Sequence, residues 1–150
     1  MIPVVLAGGD GLRMRPLTCT IPKAMMPVCG KTLIEYTLEL LNEQGFEKCI
    51  VAADNLSRQI TSAFDENVLP GMDIDFSIRP SPCGTTAAVS YSAKNIAEDV
   101  LVVPSDTLAD FDFNAEYQYH LDKKADITLI VKKIYDNSEI SSVLIIRWVR

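Results

Sequence analysis

Short apolar runs alternate with helical patterns along most of the chain. Continuous apolar runs, of the kind found in strands that are buried on both faces, predict strands from Ile2 to Ala7 and from Val100 to Val103. Cys49 to Ala53 reads as another strand, and so does Ile74 to Ile78, where apolar and polar residues alternate. Strands that alternate with helices are typical of βαβ units, so the pattern predicts an α/β fold with a mostly parallel sheet.

Apolar residues at helical spacing predict four helices in the segments between and after these strands. The first helix has its apolar face at Leu33, Ile34, Leu38 and Leu41 and ends near Gly45, a common residue at helix C-termini. The other helices are predicted from Ser57 to Phe64, from Thr85 to Ile96 and from Asn114 to Lys123, and the last two strands from Ile127 to Val131 and from Val143 to Ile146. Residues 1–150 are therefore expected to form one domain.

A long segment rich in Gly and Pro, Gly8 to Gly30, separates the first strand from the first helix. Loops of this length without regular structure are uncommon in compact domains, and they are usually functional or disordered. The segment opens with Gly8-Gly9-Asp10-Gly11-Leu12-Arg13, and Arg15 follows. Glycines directly after a buried strand let backbone N–H groups point at phosphate oxygens, and guanidinium groups suit the same oxygens. The glycines alone leave two interpretations open, a phosphate-binding bend and a tight turn with two solvated arginines.

Two common nucleotide-binding motifs do not fit this segment. It is not the dinucleotide fingerprint, because Pro16 prevents a helix from opening at the third glycine. It is not a Walker A loop, since no Gly-Lys-Ser/Thr ends it. Lys23 lies in Pro22-Lys23-Ala24-Met25-Met26-Pro27, between two prolines that stiffen the chain. By itself such a lysine is usually a solvated loop residue.

Taken together, these pieces resemble the signature of the nucleotidyltransferases that make nucleoside-diphosphate sugars. The matching pieces, in order, are Gly8-Gly9-Asp10-Gly11-Leu12-Arg13, Pro16-Leu17-Thr18, Pro22-Lys23, Pro27-Val28 and Lys31-Thr32-Leu33-Ile34-Glu35-Tyr36. Arg79 to Ala87 resembles the second nucleotide-binding loop of that family, and Leu101 to Asp106 resembles the strand that delivers a metal-binding aspartate. The resemblance implies a Rossmann-like three-layer sandwich with a mostly parallel sheet, of which this chain would be the truncated front half.

The resemblance also implies a reaction and a set of roles. In the family reaction, an oxygen of a sugar-1-phosphate attacks the α-phosphorus of a nucleoside triphosphate, and pyrophosphate leaves. Such chemistry depends mostly on in-line positioning and on charge neutralisation. Implied catalytic residues are Arg13, which would neutralise the pyrophosphate, Lys23, which would bind phosphate, and Asp106, which would hold Mg²⁺ as the cofactor. The implied nucleotide-binding residues are Leu6, Ala7, Gly8, Gly9, Gly11, Arg79, Gly84 and Thr85.

Three positions depart from the family pattern. Leu12 stands where threonine is usual, Ser105 replaces the glycine that commonly precedes the metal-binding aspartate, and Arg79 replaces a glutamine or glutamate that often contacts the base. Because of Leu12 and the truncation, a second interpretation stays open. The chain would then be a non-catalytic, nucleotidyltransferase-like domain, as in subunits of the exchange factor for translation initiation.

Composition fits a folded domain and restricts its partners. Of the 150 residues, 48% are hydrophobic and 23% are charged, which excludes disorder of the chain as a whole. The net charge of −6 argues against a general nucleic-acid surface, which would need clustered Lys and Arg. Met1 to Ala7 is too short for a membrane span and lacks the basic flank of a signal peptide. The resemblance implies nucleoside triphosphate and sugar-1-phosphate as partners, while the charge and the short apolar start argue against nucleic acid and membrane as partners.

The four cysteines, Cys19, Cys29, Cys49 and Cys83, are far apart and form no C-x-x-C pair. Disulfides remain open, but reduced thiols in a cytoplasmic protein are the preferred interpretation.

The remaining features concern the end of the chain and two aromatic residues. The apolar run from Val143 to Arg150 has no turn residue after it, so we expect an unpaired edge or hydrophobic patch unless something covers it, and such a patch would allow a homo-oligomer. His120, the only histidine, is expected to be a surface or packing residue. Trp148 belongs to no motif.

Overall fold

The computed structural model describes residues 1–9, 11–54, 58–64, 69–79, 84–108, 110–131 and 142–146. The strands are β1 (Ile2–Leu6), β2 (Pro27–Val28), β3 (Lys31–Thr32), β4 (Lys48–Asp54), β5 (Asp73–Arg79), β6 (Val100–Pro104), β7 (Ile127–Val131) and β8 (Ser142–Ile146). The helices are α1 (Leu33–Glu43), α2 (Arg58–Ala63), α3 (Gly84–Ser92) and α4 (Phe113–Asp122).

Six strands form the main sheet in the order β5-β4-β1-β6-β8-β7. The first four are parallel to one another, whereas β8 runs antiparallel to both of its neighbours. The predicted α/β fold with a mostly parallel sheet is therefore confirmed. Each predicted element is present, with small shifts at its ends; α3, for example, ends at Ser92 rather than at Ile96.

Helices cover both faces of the parallel strands, which gives three layers. Neighbouring residues of β1 point to opposite faces, so Val4 and Val5 enter different cores, and both are fully buried. The Val5 core includes Ile34, Leu38 and Leu41 of α1, Ile60 of α2 and Phe113 of α4. The Val4 core is smaller and includes Val89 of α3 together with Ala93 and Ile96. This packing fixes β1 at the centre of the molecule.

The segment from Gly8 to Gly30 is more regular than the sequence analysis expected. It contains three 3-10 turns, at Leu12–Met14, Leu17–Cys19 and Lys23–Met25, and strand β2, which pairs with β3. Pro16 and Pro22 come directly before the second and third turns, where the fixed φ of proline favours a helical turn and its missing N–H is no loss. The expectation of a segment without regular structure was therefore wrong.

A capping box fixes the point at which this segment meets α1. The Thr32 side chain accepts a hydrogen bond from the Glu35 amide, and the Glu35 carboxylate accepts one from the Thr32 amide. The Tyr36 hydroxyl donates to the carbonyl oxygen of Val28 at 3.0 Å, which ties the hairpin to the helix. The motif Lys31-Thr32-Leu33-Ile34-Glu35-Tyr36 thus anchors the far end of the Gly-rich segment.

Strand β8 lies inside the sheet, where it pairs with β6 on one side and β7 on the other. These two strands therefore cover both sides of Val143 to Ile146, and no unpaired edge is left at those residues. Trp148 lies outside the described residues, as does Ser57, the expected cap of α2. His120 is a packing residue; it is fully buried, and its Nδ1 lies 2.7 Å from the Thr128 hydroxyl.

Candidate functional site

The carboxyl ends of three neighbouring strands meet at one edge of the sheet. Leu6 at the end of β1 is in register with Ala52 of β4 on one side and with Pro104 of β6 on the other. Two residues after Leu6, Ala52 and Pro104, the chain has a glycine and two aspartates: Gly8, Asp54 and Asp106. In open α/β sheets this edge is where ligands bind.

Gly8 and Gly9 form a bend that lies directly against buried polar side chains. A Cβ atom on Gly8 would lie 3.4 Å from Asp54 Oδ2 and 3.8 Å from Arg79 Nη2. Gly9 has a φ of +120°, and its N–H donates to Asp54 Oδ2 at 3.0 Å. Asp54 and Arg79 are in register on β4 and β5, and each is about 95% buried. The bend therefore lies against the buried carboxylate of Asp54 and the buried guanidinium of Arg79.

A first cavity, which we call the inner cavity, lies between this bend and the start of α3. Its volume is about 180 Å³, and it is lined by Leu6, Gly8, Gly9, Ala52, Asp54, Arg79, Gly84, Thr85 and Ala88. Six of the residues predicted to bind nucleotide thus surround one space. Because α3 begins at Gly84, its N-terminal amide groups and the positive end of its dipole lie at this cavity.

A second cavity, the outer cavity, adjoins the first through Gly9 and Asp54. Its volume is about 190 Å³, and it is lined by Ala7, Gly9, Thr18, Cys19, Thr20, Ile21, Pro22, Lys23, Asp54 and Gln59. Gln59 of α2 donates to the carbonyl oxygen of Thr20 at 2.9 Å, which holds the wall of the cavity against the helix. Lys23 is the cation among these lining residues.

Lys23 connects the outer cavity to the end of β6. Its Nζ forms an ion pair with Asp106 Oδ2, and the Thr107 hydroxyl donates to Asp106 Oδ1 at 3.4 Å. The two charged side chains are 39% and 30% exposed, so both are accessible to a ligand. A half-exposed pair of this kind contributes little to stability, typically below about 1 kcal/mol. A bound anion could therefore rearrange the Lys23–Asp106 ion pair at a small cost in free energy.

Three predicted residues, Gly11, Arg13 and Asp106, are not among the residues that line either cavity, and of these Asp106 is joined to the outer cavity by its ion pair with Lys23. Gly11 has a φ of +56°, and a Cβ on it would lie 2.8 Å from Thr18 Cγ2. The Thr18 hydroxyl also donates to the Gly11 carbonyl oxygen at 2.7 Å. Gly11 is thus needed for the packing of the segment, and Arg13 lies exposed on the first 3-10 turn.

Asp54 and Gln59 are site residues that were not predicted from the sequence. Asp54 follows the apolar run Cys49 to Ala53, as Asp106 follows Val100 to Val103, so the same argument would have found it. Gln59 carries no such signal, because its role depends on a contact with a residue far away in the sequence.

Three larger cavities are less suited to a phosphorylated ligand, and in the one of about 550 Å³ the charged lining residues are the acids Glu47 and Asp73. Two others remain. One, of about 450 Å³, lies between α1 and the segment after β6, and its charged residues are the acids Glu39, Glu43 and Asp110. The other, of about 850 Å³, lies near the amino ends of β1 and β4, where Lys48 is paired with Asp75. The edge at Gly8 is therefore the better candidate, since only there do glycine amides, a helix N-terminus and a lysine converge within the described part of the chain.

Comparison with known proteins supports the same conclusion as the geometry of the site. The sequence profile of the nucleotidyl transferase family matches residues 2–142. The chain is 30% identical over 145 residues to the D-glycero-alpha-D-manno-heptose 1-phosphate guanylyltransferase of Aneurinibacillus thermoaerophilus, an alignment covering 96% of this chain and 63% of that protein. It is 37% identical over 122 residues to the N-acetylmuramate alpha-1-phosphate uridylyltransferase of Neisseria meningitidis serogroup B, with 79% and 52% covered. The chain thus spans between about half and two thirds of the length of these relatives.

The fold agrees with solved structures as well. HddC from Yersinia pseudotuberculosis superposes with a TM-score of 0.78 over 98% of this chain and 77% of its own, at 23% sequence identity. At that identity the likeness concerns the fold. Because the profile match runs from the first strand into the last, the chain belongs to the nucleotidyl transferase family.

Proposed function

We propose that this chain is the nucleotide-binding part of a sugar-1-phosphate nucleotidyltransferase. The reaction joins a sugar-1-phosphate oxygen to the α-phosphorus of a nucleoside triphosphate. The bond from that phosphorus to the bridging oxygen breaks, its electron pair stays with that oxygen, and pyrophosphate leaves. The observation that carries the proposal is the convergence of the Gly8-Gly9 bend, Lys23 and Asp106 at one edge of the sheet, in a family whose members include guanylyl and uridylyl transferases.

In this proposal, each of the two cavities binds a different part of the nucleotide. The inner cavity takes the nucleoside, with Leu6, Gly84 and Thr85 beside it, and Arg79 faces the base. The outer cavity takes the phosphates, where Ala7, the Gly9 amide and the Lys23 ammonium group lie. Lys23 has three donors, so it can bind phosphate while it stays paired with Asp106. Arg13, exposed on its 3-10 turn, neutralises the leaving pyrophosphate in this proposal.

Asp106 fits a magnesium site of the kind that is completed by substrate. Mg²⁺ prefers oxygen ligands and is often held by one or two carboxylates together with substrate phosphates. Among the described residues, no three His, Cys, Asp or Glu side chains cluster closely enough to hold a metal by themselves. Asp106, half exposed beside Lys23, supplies one carboxylate at the correct edge of the sheet. Bound there, Mg²⁺ would supply charge neutralisation for the phosphates.

A membrane span is not seen: among the described residues, no helix combines the length and the apolar character that crossing a bilayer requires. We propose a cytoplasmic location for the protein. The free thiols of Cys19, Cys29 and Cys49 support that location.

A two-part experiment tests the proposed function. Calorimetric titration of the chain with GTP, UTP, dTTP and CTP in the presence of Mg²⁺ should detect binding of at least one, and no binding of any would refute the proposal. An assay of pyrophosphate release with glucose-1-phosphate and mannose-1-phosphate then separates the two interpretations of the sequence. Robust turnover by this chain would exclude the non-catalytic domain.

A further inference from the structure

Asp54 occupies the boundary between the two cavities, and its carboxylate already holds part of the bend. It lines both cavities and is only 5% exposed. Its Oδ2 accepts the N–H of Gly9 at 3.0 Å. Carboxylate and phosphate oxygens accept the same kind of hydrogen bond from a backbone amide. A negative side chain therefore sits where the proposed function needs a phosphate oxygen.

The nearby cations explain how this acid can stay buried. A Cβ on Gly8 would have Asp54 Oδ2 and Arg79 Nη2 within 4 Å, so a carboxylate and a guanidinium flank the same glycine. Buried charges are retained when an opposite charge accompanies them. Lys23, the cation of the outer cavity, is paired with Asp106 instead.

We infer that Asp54 is an internal anion that competes with the phosphates of the nucleotide for the Gly9 amide, and so limits the affinity of this site for phosphate. This inference rests on the proposed function, because it takes the Gly8-Gly9 bend as the phosphate-binding element. A phosphate that binds the Gly9 amide displaces the carboxylate, or it binds beside a like charge, and either event costs free energy. Displaced from Gly9, the carboxylate stays close to the Arg79 guanidinium.

The alternative role for Asp54 is purely structural. Its hydrogen bond would then only hold the bend in the shape that binds phosphate, and its charge would not matter. Asparagine separates the two roles, because its side-chain oxygen can still accept the Gly9 amide while the negative charge is gone. The structural role predicts unchanged or weaker phosphate binding by Asp54→Asn, and the competing role predicts tighter binding.

Inorganic pyrophosphate is the suitable probe, since it carries no base and reports on the phosphate site alone. By calorimetry, Asp54→Asn should bind pyrophosphate at least about tenfold more tightly than the native chain, the effect of removing one like charge at contact. Asp73→Asn is the matched control: it removes the same charge from an exposed residue at the other end of β5, and its affinity should equal that of the native chain. Unchanged or weaker binding by Asp54→Asn would overturn the inference.

A second variant covers the case in which Asp54→Asn does not fold. That substitution leaves Arg79 buried without the carboxylate, whereas Asp54→Asn/Arg79→Gln removes both buried charges. The double variant should bind pyrophosphate more tightly than the native chain, because the nearer charge to the bend is the acid. Unchanged or weaker affinity would contradict the inference. Failure of the proposed function would show separately, as absence of nucleoside triphosphate binding by the native chain.

Discussion

Replacing Gly11 by alanine should destabilise the Gly-rich segment for two separate reasons. The first is conformational: a residue with a side chain held at a φ of +56° pays roughly 1–2 kcal/mol. The second is a contact, because the new Cβ would lie 2.8 Å from Thr18 Cγ2. If Thr18 moves away, the bond from its hydroxyl to the Gly11 carbonyl, which is 2.7 Å long, is lost at a cost of about 1 kcal/mol. The expected total is about 2–3 kcal/mol.

Urea denaturation and nucleotide titration together measure this effect. Gly11→Ala should lower the free energy of unfolding. If the substitution only disorders the Gly-rich segment, it should instead weaken nucleotide binding by more than about tenfold. Adding Thr18→Ser removes the methyl group that the Cβ meets and keeps the hydroxyl, so the double variant should regain about 1 kcal/mol. Gly45→Ala is the control, since its φ is +83° and nothing lies within 4 Å of its Cβ position; it should not change binding. Native stability and affinity in Gly11→Ala would refute the reasoning.

Three further predictions concern the site and the thiols. Lys23→Ala should weaken nucleoside triphosphate binding by roughly 1.5–3 kcal/mol, the value of a charged hydrogen bond, as measured by calorimetry; unchanged affinity would remove Lys23 from the site. Asp106→Asn should abolish the Mg²⁺ dependence of binding and leave the circular dichroism spectrum unchanged, and a surviving dependence would refute the metal assignment. At pH 8, a maleimide should label the exposed thiols of Cys19 and Cys29 but spare Cys49, because burial raises the pKa of the Cys49 thiol to about 12. Peptide mapping that finds Cys49 labelled in the folded chain would contradict that burial.

Matched variants separate these effects from general loss of charge. Lys31→Ala removes a lysine from the same part of the chain, but one whose partner is Glu39 and which lines neither cavity. It should bind nucleotide as the native chain does. For Asp106→Asn, the corresponding control is Asp73→Asn.

Much of the fold follows from the sequence because its signals are local. The apolar run at the first strand, the alternation at Ile74 to Ile78 and the helical spacing of Leu33 to Leu41 each depend on neighbours a few residues apart. The neighbours of β8 do not follow in this way. Whether that strand lies at an edge or between β6 and β7 depends on how the chain returns, and the local pattern is the same in both cases.

The site was predictable to the extent that residues follow strands. Gly8, Gly9 and Asp106 come directly after apolar runs, and parallel strands bring such positions to one edge. Gly11 shows the limit of that argument. Its sequence neighbours place it with the phosphate-binding glycines, whereas its conformation and its contact with Thr18 give it a packing role that only the folded segment reveals. Asp54 is the opposite case: it follows an apolar strand, but it is not part of the motifs that resemble the family.

The location of the bound nucleotide is the most direct test of the account. In ¹H–¹⁵N correlation spectra of labelled protein titrated with the best-binding nucleoside triphosphate, we expect the largest shifts at the amides of Gly8, Gly9, Lys23, Gly84 and Thr85. Shifts confined to the residues of the 450 Å³ cavity beside α1, with the amides of the bend unmoved, would contradict it.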